Sequence, residues 1–137
     1  MLLKLLFTSA VLEAHYDEDT AWLYLDWKGR QDLAQVQAVG SRILAVIEQT
    51  GVRKVLNDNT HITHTSWELV EWVSKEYLPQ VGRAGIEYVA WVQSPLLASR
   101  SNIDRMARSV EQKPLVAIFG DVASAYTWLS SVTVPVG

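Results

Sequence analysis

Residues 58–67 read Asp-Asn-Thr-His-Ile-Thr-His-Thr-Ser-Trp, the chain's most concentrated run of side chains able to do chemistry. Asp58, Asn59, Thr60, His61, His64 and Ser66 bring a carboxylate, an amide, hydroxyls and two imidazoles. Such a run can both donate and accept hydrogen bonds near neutral pH. Trp67 places a large apolar anchor beside them, the kind of residue that dominates interfaces. His61 and His64 stand three apart and, with Asp58, offer zinc-type donors. Helical ligand spacing needs a helix, however, and this segment has the composition of a loop with no fourth ligand, so no metal is expected. The same polar residues are also what turns and helix caps use. A loop that merely caps its own helix therefore competes with a binding site.

Other chemistries lack their parts. There is no cysteine, which excludes disulfides, thiolate metal sites and a cysteine nucleophile. Serines and histidines occur without a Gly-x-Ser-x-Gly elbow. Gly82-Arg83-Ala84-Gly85 lacks the lysine and hydroxyl of a phosphate loop. No catalytic residue, cofactor or enzymatic activity is expected. Arg105 and Arg108 are three apart and share a helix face, a second candidate patch for an anionic group or acidic partner. Glu111, three further on, can satisfy Arg108 locally. Six tryptophans cannot all be buried with their indole N–H groups satisfied. Trp67 and Trp72 point to different helix faces, so one of them should be exposed or at an interface.

The elements that must position these residues follow from periodicity. Residues 2–9, 11–16 and 21–27 read as three strands, with Leu23, Leu25 and Trp27 on one face and Trp22, Tyr24 and Asp26 on the other. Asp32 can cap a helix carrying Leu33, Val36, Gly40, Ile43 and Ile47, which stops at Gly51. Residues 52–57 form a short strand, followed by the polar loop 58–64. Thr65 opens a second helix with Glu68 at capping-box spacing, and Pro79 ends it. Gly82 and Gly85 punctuate the next loop. Residues 86–92 form a strand, and Ser101 caps a third helix reaching about Gln112, with Ile103, Met106, Ala107 and Val110 inward. The wholly apolar residues 115–119 read as a central strand, and Asp121 caps a last helix with Val122, Ala125, Tyr126 and Leu129 buried. Strand–helix alternation forces parallel pairing with right-handed crossovers. The expected fold is α/β, a mostly parallel mixed sheet with an antiparallel N-terminal hairpin and about four helices.

With 137 residues, 1–137 is one domain's worth. Hydrophobic residues at 49% against 20% charged exclude disorder. A net charge of −3 argues against nucleic acid as a partner. No run approaches a membrane span, and Lys4 interrupts the apolar start, so a strand and a cytoplasmic protein are expected.

The element order resembles the STAS domain, and more closely the SpoIIAA-like (STAS/SEC14-like) group of small stand-alone bacterial proteins. The resemblance is carried by Trp22-Leu23-Tyr24-Leu25-Asp26-Trp27-Lys28-Gly29, by Val55-Leu56-Asn57-Asp58-Asn59, and by Phe119-Gly120-Asp121 with Ala125 and Trp128-Leu129. It covers nearly the whole chain and implies fold more than function. Antagonist-type members carry an Asp-Ser-Ser-Gly-type motif with a phosphorylated serine where the strand meets the second helix. Here Asn57-Asp58-Asn59-Thr60 is expected at that junction with Ser66 well downstream, so no phosphoserine switch is expected. What remains is a non-enzymatic binding or interaction module, engaging a protein partner or forming a homodimer through residues 58–67. The alternative is a carrier of a small apolar or lipid-like ligand between the third helix and the sheet.

Overall fold

The computed structural model describes residues 1–95 and 113–135. Strands β1 (Leu3–Thr8), β2 (Leu12–Asp17), β3 (Trp22–Arg30), β4 (Lys54–His64), β5 (Tyr88–Val92) and β6 (Leu115–Phe119) form one sheet in that spatial order. β1, β2 and β3 pair antiparallel. β3, β4, β5 and β6 pair parallel. The helices are α1 (Leu33–Thr50), a continuous run made of α2 (Trp67–Trp72), a π-helical turn (Val73–Tyr77) and α3 (Leu78–Arg83), and α4 (Val122–Ser131). The expected third helix, with Arg105 and Arg108, lies outside the described residues. Among the described residues, no helix is long and apolar enough to cross a membrane.

Strand alternation sorts the core into two layers. Leu23, Leu25, Trp27, Val55, Val89 and Trp91 face α1 and the α2–α3 run. Trp22, Leu56, Ala90 and Val92 face Ala125 and Leu129 of α4. Leu25, Ile43, Leu56 and Leu129 have no exposed surface, and each such side chain contributes about 1.5–3 kcal/mol by burial. α1 begins and ends where its residues dictate. The Asp32 carboxylate accepts from Gln35 N at 3.1 Å. Gly51 takes the left-handed φ of 69° and returns its N–H to Ile47 O. Lys54 Nζ fastens the last turn of α4, donating to Leu129 O at 2.6 Å and Val132 O at 2.8 Å. A cation at carbonyls left over at a helix end is favourable.

Four expectations need correction. Residues 58–64 are strand, not loop: β4 runs to His64 because β3 also runs on, pairing Lys28 with His61 and Arg30 with His64. Pro79 does not end the second helix. The helical run continues through it: the π-helical turn precedes it, with Leu78 N–H reaching Val73 O, and Pro79 follows as the second residue of α3. Gly82 is accordingly helical. A Cβ there would collide with the Lys113 carbonyl, so this glycine serves close packing rather than a loop. β6 is the sheet's edge, not its centre, with Leu115 56% exposed. Its apolar run reflects contact on two faces, Val116 and Ile118 towards one layer and Phe119 towards the other, which does not require a strand on each side.

Candidate functional site

The projecting end of β4 carries the residues singled out in the sequence, and strand alternation divides them. Asn57 and Asn59 face the α1/α2 side; Asp58 faces the other. Trp27 Nε1 donates to Asn57 Oδ1 at 2.7 Å, and Asn57 Nδ2 to Asn59 Oδ1 at 3.2 Å. On the opposite face Tyr24 OH donates to Asp58 Oδ2 at 2.6 Å, and Thr60 N to Asp58 Oδ1 at 2.9 Å. The Thr60 hydroxyl also donates to Asp58 Oδ1. Burial, reinforced by the bond to Asp58, raises the Tyr24 phenol well above its usual range, so it remains a donor. Asp58 and Asn59 are 2% and 5% exposed. Both therefore lie in the interior, whereas the sequence placed them in a contact-forming loop. Turn-like residues were admitted to a strand because β3 supplies an indole and a phenol to satisfy two of them.

Beyond Thr60 the surface opens. His61 Nδ1 sits 3.2 Å from Asp26 Oδ1 with its side chain 64% exposed. Two residues towards the end of β3, Lys28 Nζ pairs with Glu13 Oε2 at 2.6 Å, a contact that holds the Glu13 carboxyl below its usual range. His64 Nδ1 meets the Thr63 hydroxyl at 3.0 Å. The two imidazoles thus have separate partners, and Asp58 is turned into the interior. Among the described residues no three metal-type side chains converge.

The strand–helix junction is Thr65-Ser66, not residues 57–60. Ser66 Oγ accepts from Leu69 N at 3.1 Å and is the cap of α2, displacing Thr65 from that role. A serine does stand at the junction, so the argument from residues 57–60 falls, while the Asp-Ser-Ser-Gly-type sequence is still missing, the junction reading His64-Thr65-Ser66-Trp67. Trp67 follows, exposed to 45%, whereas Trp22, Trp27 and Trp91 are buried and Trp72 and Trp128 half-buried. The structure thus brings His61, Thr63, His64, Thr65, Ser66 and Trp67 together at one exposed corner and withdraws Asp58 and Asn59 from it. Arg105 and Arg108 lie outside the described residues. The parallel strands are added in one direction, β3 to β6, so the reversal of winding that opens a ligand crevice is missing among them.

Arg30 escaped the sequence reading; taking residues 58–64 as strand would have found it by its pairing with His64.

No family model and no curated protein matches the chain. Solved structures do resemble it. An uncharacterised DUF3478-family protein with a SpoIIAA-like fold from Shewanella loihica PV-4 superposes with a TM-score of 0.57 at 13% identity, covering 90% of this chain and 98% of that one. The anti-sigma factor antagonist SpoIIAA in its unphosphorylated form gives 0.56 at 11%, covering 96% and 98%. Apo-SiaC from Pseudomonas aeruginosa gives 0.50 at 11%, covering 86% and 98%. Likeness at such low identity speaks to architecture alone, and the chain has the SpoIIAA-like, or STAS, fold.

Proposed function

We propose that this chain is a non-enzymatic interaction module that engages a protein partner through the corner formed by the tip of β4 and the start of α2. The observation that carries this is Trp67: alone among the six tryptophans it is exposed, at 45%, and it stands beside two exposed imidazoles and three exposed hydroxyl residues. A rigid indole flanked by adaptable donors and acceptors is the composition of an interface hot spot. The potentially reactive groups behind it already have structural duties, with Asp58 bonded to Tyr24 and Thr60 and His61 set against Asp26. The name of one protein of like fold, an anti-sigma factor antagonist, describes work on another protein and fits this class. The carrier alternative concerned a pocket behind the third helix, outside the described residues. A cleft of about 300 Å³ lies at the opposite, amino end of β4, among Tyr16, Thr20, Trp22 and Lys54, and does not bear on it.

The test is a double substitution, His64→Ala with Trp67→Ala, at exposed positions. Tagged wild-type and variant chains are purified from the native host and their co-purifying proteins quantified. Wild-type stability with selective loss of one co-purifying protein supports the surface. The same proteins at the same abundance would place the function elsewhere.

A further inference from the structure

β1 is an edge of the sheet, with β2 its single neighbour among the described residues. β5 and β6, which residues 96–112 connect, lie towards the other edge. Six large apolar side chains are exposed among the described residues, and four of them gather here: Met1, Leu2, Leu3 and Leu5. The backbone is open as well. Glu18 N donates to Leu2 O at 2.9 Å, so Leu2 turns its polar groups towards β2. By the alternation of an antiparallel ladder Lys4, opposite Tyr16, does the same, and Leu3 and Leu5 direct their N–H and C=O groups outward. Such an edge is a template for another strand.

The residues of β1 say which strand fits. Two copies related by a two-fold axis present the same surface to each other, and their edges pair antiparallel about one central residue. Centring on Lys4 would set two ammonium groups directly opposite, which is destabilising. Centring on Leu5 would lay Leu3 against Phe7 of the second copy. The bulge between Leu5 and Phe7 forbids this, because Phe7 is turned to the α1 face, where the Arg42 guanidinium lies 4.1 Å from its ring centre, while Leu3 is on the other face. Centring on Leu3 meets neither obstacle. The open groups of Leu3 then meet those of Leu3, and Leu5 meets Met1. Met1, Leu3 and Leu5 share one face, so three apolar side chains from each copy close into a single stripe. Charge agrees with this register. Lys4 stands opposite Leu2 of the second copy, beside which the bond from Glu18 N holds the run Asp17-Glu18-Asp19, whose Glu18 and Asp19 are exposed.

We propose that β1 is a homodimer interface: two copies join through antiparallel β1 edges centred on Leu3, continuing the six-stranded sheet of one copy into that of the other. The interface is separate from the Trp67 corner and does not depend on the interaction reading. The two-fold pairing occupies the β1 edge of both copies, so association through it ends at two. The bulge at Leu6 stops the pairing at Leu5. The contact is therefore small, and the dimer dissociates at a concentration on the order of 10 μM.

The test is sedimentation velocity on the full-length chain from about 1 to 500 μM, either side of that midpoint, with isotope-filtered NMR on an equal mixture of labelled and unlabelled chains. The expected mass rises from that of one chain towards that of two. The expected filtered contact joins Lys4 Hα to Leu2 Hα, residues too far apart along one strand to give it. Leu3→Lys, at an exposed position, sets two ammonium groups face to face and should weaken association at least about tenfold, whereas Trp67→Ala should leave it unchanged. The filtered contact is read on the wild type, so it does not depend on how the variants fold. A single monomeric species at every concentration overturns the proposal. So does association that survives Leu3→Lys, or a filtered contact from Lys4 to Lys4 in place of Leu2.

Discussion

Trp27 and Trp91 offer a matched pair for testing the polar cluster. They occupy β3 and β5 on either side of Asn57, face the same core layer and are 5% and 9% exposed. Trimming either indole to phenyl removes similar apolar surface, so the packing loss is similar in both. The N–H groups differ. Trp27 Nε1 bonds Asn57 Oδ1 at 2.7 Å in the interior, and Trp27→Phe leaves that oxygen without its donor. An abandoned buried acceptor costs about 1–3 kcal/mol. Trp91 Nε1 has no partner among the described residues, and Trp91→Phe removes a buried donor that was already a liability. Trp27→Phe should therefore be the more destabilising by at least about 2 kcal/mol. That is a large share of the 5–15 kcal/mol typical of a domain. Urea denaturation with unchanged m-values resolves such a gap. Equal losses would refute the assignment of donors and acceptors in this cluster.

Four further outcomes follow from the same geometry. Ser66→Ala should cost about 1 kcal/mol in chemical denaturation, because its hydroxyl caps Leu69 N, whereas Thr65→Ala should leave stability within about 0.5 kcal/mol of wild type. Gly82→Ala should destabilise by about 1–3 kcal/mol as its new methyl meets the Lys113 carbonyl; a neutral result in thermal unfolding would contradict that approach. Lys54→Met should cost about 2 kcal/mol and speed hydrogen exchange in the last turn of α4, since Leu129 O and Val132 O lose a charged donor. Glu87, held below the usual carboxylate range first by the hydrogen bond from Arg53 and then by Lys113, contributes stability that is fully present above the ordinary glutamate value of 4.5 and fades as pH falls through the lowered one; Glu87→Gln should flatten the acid limb of a stability–pH profile.

Local signals with a single physical cause were legible in the sequence. Asp32 and Gly51 bound α1 because a carboxylate satisfies an N-terminal donor and glycine tolerates a positive φ. Alternation at residues 21–27 showed which side chains face which layer, and the parallel β4–β5–β6 pairing followed from the intervening segments. What stayed hidden depends on partners distant in sequence. Nothing local says that Asp58 is strand rather than turn; that follows from Tyr24, thirty-four residues earlier, placing a hydroxyl against it. Ser66 rather than Thr65 became the cap because β4 runs to His64, seven residues past the strand end expected at Asn57, and Thr65 is spent on leaving the strand. β6 illustrates a different limit: residue type reports contact on a strand's faces, while edge or centre is a matter of its hydrogen-bonding sides.

The claim that matters most is that the tip of β4 and the start of α2 form the contact surface. Amide hydrogen exchange of the chain in its co-purified complex, compared with the free chain, reads this directly. The account predicts added protection concentrated in residues 61–69, with the apolar β1 edge at Leu3 and Leu5 exchanging as before. Protection appearing along β1, with residues 61–69 unchanged, would contradict it.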